Sequence, residues 1–178
     1  MPDQVAIAPH IHARAALCAA VIAAAAFTVL EMILASVFSG NNPWLPLRMI
    51  AAIGMGEGVL QSPATFDARI ISVALLIHLG LSVIFAFVFA EIARGRDIGI
   101  AIALGAAFGL IKYLISFYGM TWIFPWFSMS RGWATAFSHV FYGAVLGWVY
   151  ATVVQESLKK RLHGADKPLS DNWRKELG

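Results

Sequence analysis

The chain has 178 residues, of which 60% are hydrophobic and 13% charged, with a mean hydropathy of +0.74; soluble domains carry about 25% charged residues. Those values exclude a soluble globular domain and point to an integral membrane protein with one small helical domain. The net charge of +3 is a topology signal rather than a nucleic-acid footprint.

Residues 1–15 read as a polar cytoplasmic leader. Its His10 and His12 form an H-x-H pair, a pattern that binds metal in some chains and is more often part of a disordered tail. A spanning helix needs about 20 mainly apolar residues, and residues 16–38 supply the first. This run is longer than a signal-peptide core and closes with no small-residue cleavage pattern, so the expectation is an uncleaved span. Cys18 within it is the only cysteine, which rules out an intramolecular disulfide.

The turn residues Gly40, Asn41, Asn42 and Pro43 open a long outer loop, 39–68. Its centre, 46–60, reads as a helix with Pro46 in the first turn. That helix is apolar but too short to span, hence re-entrant or interfacial. Gly54, Gly56 and Gly58 weaken its second half. Residues 69–92 are the second span, and Arg94-Gly95-Arg96-Asp97 is a tight turn that makes the second and third spans antiparallel neighbours. The third span is 98–118. A second outer loop, 119–132, is rich in Trp and Phe. The fourth span is 133–154, and residues 156–178 form a basic tail. The expected fold is an all-α membrane protein, a four-transmembrane-helix bundle whose domain occupies residues 16–155. The runs are continuous rather than alternating, which argues against a β-barrel.

Basic residues gather before the first span, in the 94–97 turn and in the tail, while the opposite side holds only Arg48, Arg69 and Arg131. The positive-inside rule then places both termini in the cytoplasm. Lys159, Lys160 and Arg161 read as a contact for anionic lipids. Trp44, Trp122, Trp126 and Trp133 read as interface anchors.

Away from its ends each span carries one ionisable residue: Glu31, His78, Lys112 and His139. Counted at 1.5 Å per residue, all four lie roughly 9–13 Å below the outer helix ends. Such residues are costly in a bilayer and usually face a protein interior or a water-filled cavity. Helical spacing sets each on a stripe of small residues, including Gly105 and Gly109 on the third span and Gly143 and Gly147 on the fourth. Arg48, Glu57 and Arg131 would form an outer vestibule above this intramembrane polar layer. One reading of the layer is structural: a buried Glu31–Lys112 ion pair that fixes packing register. Another is a proton or ion pathway, built from the usual relay groups. A metal held by His78, His139 and Glu31, or a haem held by the two histidines, uses suitable ligand types. Lys112 opposes the metal, and the expectation is no cofactor. No phosphate loop, zincin pair or nucleophile elbow is present, so the chain does not read as an enzyme.

The two halves echo each other loosely: a charged outward helix, then Pro43-Trp44 or Pro125-Trp126, then Arg48 or Arg131, then an inward helix with a histidine. This pattern would suit a parallel repeat. Two stretches, Asn42-Pro43-Trp44-Leu45-Pro46-Leu47-Arg48-Met49-Ile50-Ala51-Ala52 and Phe124-Pro125-Trp126-Phe127 with Arg131-Gly132-Trp133 and Ser138-His139, resemble a family of small uncharacterised bacterial inner-membrane proteins. The likeness runs from the first span to the fourth. Some members carry the automatic label sodium:proline symporter, which the length of this chain contradicts. The resemblance implies a bacterial inner-membrane address and gives weight to Pro43, Trp44, Arg48, Pro125, Trp126, Arg131 and His139.

Two functions follow. A non-catalytic accessory or assembly subunit of a larger membrane complex is favoured, because the chain has little mass outside the bilayer and its polar layer stops halfway. The alternative is a small oligomeric transport-like protein moving protons, an ion or a small solute. The expected partners are the bilayer, anionic lipids and other membrane subunits or copies of itself, with no nucleic acid.

Overall fold

A computed structural model describes residues 8–38 and 42–165. It contains five α-helices: α1 (Pro9–Phe38), α2 (Leu45–Met55), α3 (Ala68–Ala93), α4 (Ile98–Leu114) and α5 (Trp133–Ala165). No strand occurs among the described residues. Four helices, α2 being the exception, are long and apolar enough to cross a membrane, α4 together with its extension to Gly119. The chain is a multi-pass α-helical bundle.

Local chemistry explains most of the boundaries. Proline at a first helical position has no N–H to leave unpaired, and α1 begins on Pro9. That is seven residues before the expected start at 16, so His10 and His12 lie in the helix rather than in a leader. The Asp67 carboxylate accepts from the Arg69 and Ile70 amides and caps α3, and Asp97 accepts from the Ile100 amide and caps α4. Gly56, at φ 81°, ends α2 in a left-handed conformation that favours glycine, and a 3₁₀ turn over Glu57–Leu60 follows. The expected helix over 46–60 is therefore broken where its glycines begin to outnumber good helix formers. α4 runs on into a wide turn, Ile115–Gly119, closed by the Met120 amide on the Ile115 carbonyl. A second 3₁₀ turn covers Pro125–Ser130. At the far end of the chain, α5 reaches Ala165, and the remaining basic residues Lys167, Arg174 and Lys175 lie outside the described residues, as do Gly40 and Asn41 of the first turn.

Packing is uneven. α5 is the central helix and packs tightly on α4 and α1. The α4–α5 seam is made of glycine: a methyl group on Gly105, Gly109, Gly143 or Gly147 would land on the facing backbone carbonyl of Gly143, His139, Gly105 or Ala101 respectively. Small residues allow this backbone-to-backbone approach, which dispersion and weak polar contacts stabilise in a bilayer. α1 presents an alanine face (Ala15, Ala16, Ala19, Ala20 and Ala23, all fully buried) to the same core, with Phe89, Tyr142 and Leu146. By contrast α3 and α4, though joined by the tight Arg94–Asp97 turn, barely pack on each other. They are antiparallel neighbours, as the turn implies, but their contact is slight because the small face of α4 is committed to α5. The two helices diverge, and Phe85 and Phe89 meet Phe108 in the narrow part of the wedge.

Candidate functional site: a cavity on the intramembrane polar layer

The wedge between α3 and α4 holds a cavity of about 350 Å³, at the lower end of the range of about 300–1,000 Å³ found for small-molecule sites. Glu31 from α1, His78 from α3, Lys112 from α4 and His139 from α5 all line it. The four residues singled out by matched depth are thus brought to one place. Apolar side chains of α2 (Met49, Ile50, Ile53) and of the segment after α4 (Phe117, Phe124, Phe127) form much of the remaining wall, to which Ser116 and Ser130 add two hydroxyls.

Phe27 organises the site and was not predicted. Its ring centroid lies 5.2 Å from that of His78 and 4.8 Å from that of His139, and the Lys112 ammonium is 5.7 Å away. The signal was available: Phe27 precedes Glu31 by one helical turn and shares its face.

Each polar group has a defined setting. His78 donates Nε2–H to the Ala24 carbonyl at 3.3 Å, and His139 donates Nδ1–H to the Thr135 carbonyl at 2.8 Å. A carbonyl only accepts, so these two nitrogens carry the protons, and in the neutral ring the other nitrogen is an acceptor. The Thr135 hydroxyl donates to Glu31 Oε1 at 2.9 Å, while Glu31 Oε2 is buried with no partner. Lys112 stands over the rings of Tyr142 (4.0 Å), Phe85 (4.9 Å) and Phe27. A cation over an aromatic face is attracted by the ring quadrupole. Among the described residues Lys112 has no carboxylate within ion-pair distance, so the expected Glu31–Lys112 bridge is not formed. Each is held instead by side chains of other helices, Glu31 by Thr135 of α5 and Lys112 by rings of α1, α3 and α5.

A second, smaller cavity of about 270 Å³ lies beside the first and is lined by Arg131, Trp133 and Thr135. Glu31, Pro46 and Ser130 line both, so they form the partition between them.

Of the predicted vestibule, only Arg131 lines a cavity, the smaller one. It also donates Nε–H to the Phe117 carbonyl at 2.6 Å and Nη2–H to the Thr121 hydroxyl at 3.0 Å. Arg48 is buried and directs Nε and Nη2 to the Thr65 carbonyl and Nη1 to the Val59 carbonyl. Its charge is committed to closing the first loop, not to a vestibule. Glu57 is exposed at the head of its 3₁₀ turn and lines neither cavity. The two arginines of the sequence echo share one role: each pins loop carbonyls.

Trp122 and Trp133 are strongly exposed, at 82% and 64%, as anchors in an interface would be. Trp126 is not: it is buried and donates its indole N–H to the Met49 carbonyl at 3.0 Å, tying the second loop to α2. Its partner is a backbone group rather than the bilayer surface. Trp44 is half-buried against Phe66. Lys159 pairs with Glu156 on the exposed surface of α5, and Arg161 reaches His10.

At the other end of the bundle the structure reveals a polar cluster that the sequence reading passed over. His12 is buried, with Nδ1 at 2.8 Å from the Tyr150 hydroxyl and Nε2 at 3.0 Å from Glu91, which also meets Arg94. Treating residues 1–15 as a leader hid it. Among the described residues no group of three histidine, cysteine or acidic side chains converges as metal ligands, so His78, His139 and Glu31 share a cavity without forming a ligand set. The aromatic neighbour of both histidines is Phe27 of the chain itself.

Fold and site define a multi-pass helical membrane protein with an ionisable cavity between its spans. No family model, curated protein or solved structure matches the chain.

Proposed function

We propose that this protein is a small transport-like membrane protein that admits a small solute to the cavity on its polar layer. One observation carries the reading: ionisable residues from four different spans, Glu31, His78, Lys112 and His139, line a single cavity whose other walls are mostly apolar. Intramembrane ionisable groups that converge on a cavity mark substrate and ion pathways more than they mark packing. The absence of an ion pair between Glu31 and Lys112 among the described residues supports the same view, because a purely structural polar layer gains most when its charges meet. The resemblance noted in the sequence supports a bacterial inner membrane as its address, and the basic residues at that end support an orientation with both termini in the cytoplasm.

The accessory-subunit reading has one observation in its favour. The most apolar stretch of α4 is 22% buried within the chain, against 56% for α5, which leaves α4 an outward face for lipid or another subunit. Native mass spectrometry of the full-length protein, released gently from its own membranes, separates the two. A single chain or homo-oligomer carrying an added small-molecule mass is the expected result. A defined complex with other proteins and no small molecule would overturn the transport-like reading.

A further inference from the structure

The cavity is lined by a carboxyl group, Glu31, and an amine, Lys112, that form no ion pair with each other. We infer that its ligand is a small zwitterion with an apolar body, an apolar α-amino acid or a close relative, whose carboxylate meets Lys112 and whose ammonium meets Glu31. This inference rests on the transport-like reading and names the substrate class of the same site.

Charge is the first argument. Lys112 lines the cavity with its ammonium over three aromatic faces and no carboxylate in ion-pair range among the described residues. Glu31 lines the same cavity, is 8% exposed, and keeps one carboxylate oxygen without any partner. A buried charge without a partner is costly. An anion would answer Lys112 and leave Glu31 alone, and a cation would do the reverse. A zwitterion answers both and leaves the total charge of the cavity unchanged.

Shape and polarity are the second. Beyond the polar floor the walls are mostly apolar, with Met49, Ile50, Ile53, Phe124 and Phe127 against only two hydroxyls, Ser116 and Ser130, which suits a hydrocarbon or aromatic side chain better than a sugar or polyol. Methionine and phenylalanine form adaptable apolar walls. A volume of about 350 Å³ admits a single amino acid and is too small to enclose a two-chain lipid. The histidines complete the floor with their two free ring nitrogens, which in the neutral tautomers accept a hydrogen bond and so add to the recognition of an ammonium group.

The test uses the full-length protein in nanodiscs, with empty nanodiscs as the blank, and isothermal titration calorimetry with three probes. L-phenylalanine carries both charges, L-phenylalaninamide only the ammonium, and N-acetyl-L-phenylalanine only the carboxylate. The zwitterion is expected to bind saturably and each blocked probe about tenfold or more weakly, the scale of one lost charge-assisted hydrogen bond. Glu31→Gln is expected to erase the preference over the N-acetyl probe, and Lys112→Met the preference over the amide. Equal binding of a blocked probe to the unaltered protein overturns the zwitterion while leaving a solute cavity in place. Saturable binding of none of the three also overturns it, and the transport-like reading then stands or falls on the bound mass found in native membranes. The probe series on the unaltered protein decides the matter even where a variant fails to fold.

Discussion

The two sides of α4 are built on opposite principles. Toward α5 it is closed, with Gly105 and Gly109 lying against the backbone of Gly143 and His139 so tightly that no side-chain atom fits between. Toward α3 it is open, and the space between the helices is spanned by long side chains, among them Lys112, Phe85, Phe89 and Phe108. The closed side fixes where α4 stands. The open side can then be shaped by long side chains without loss of the fold. A rigid seam next to a cavity is how a small bundle keeps a binding-sized space from collapsing.

Substitutions can break this contrast. The largest effect is expected in the seam: Gly109→Val sets branched carbons against the His139 carbonyl, and overpacking of this kind costs about 3 kcal/mol. Thermal unfolding in detergent, followed by size-exclusion chromatography, would show loss of the monodisperse peak; an unchanged melting temperature would mean that the seam is looser than described. Next comes the partition beside the cavity. Thr135→Val leaves both Glu31 oxygens buried without a donor, and the expected cost is about 1–3 kcal/mol, read by the same melt. Trp126→Phe removes the indole donor to Met49, with an expected loss of about 1 kcal/mol. Hydrogen exchange should then speed up in α2 and the 125–130 turn while the α4–α5 seam keeps its protection. Uniform acceleration across the bundle would show that the roof of the cavity and the seam are one unit. Glu57→Gln, on an exposed turn away from both cavities, should shift stability by no more than about 0.5 kcal/mol and leave binding of the amino-acid probe unaltered.

Much of this arrangement was legible in the sequence. Hydropathy gave the four spans, and small-residue spacing gave the glycine seam, because i, i+4 periodicity maps directly onto a helix face. The depth rule brought Glu31, His78, Lys112 and His139 together, and all four do line one cavity. Partnerships were harder. Nothing in the spacing says that Thr135 would take Glu31, or that aromatic rings would hold Lys112, since both depend on helix rotation and tilt. Arg48 and Trp126 were read as groups facing outward because loops usually lie at the surface. Their backbone partners, Thr65, Val59 and Met49, come from loop closure that hydropathy does not encode. The His12 cluster was missed for a different reason: a polar stretch before an apolar run looks like a tail until the run of helix is seen to begin at Pro9.

The alanine face of α1 also bears on how the protein is made. α1 leaves the ribosome well before α5, yet α5 is its main packing partner. Until Trp133–Ala165 has been synthesised, α1 can make only its smaller contact with α3, and the glycine side of α4 is unmatched. The glycine seam therefore closes late. A chain cut short within α5 would leave α1 resting on α3 alone and the glycine face of α4 with no surface to pack on, a form for membrane quality control to recognise.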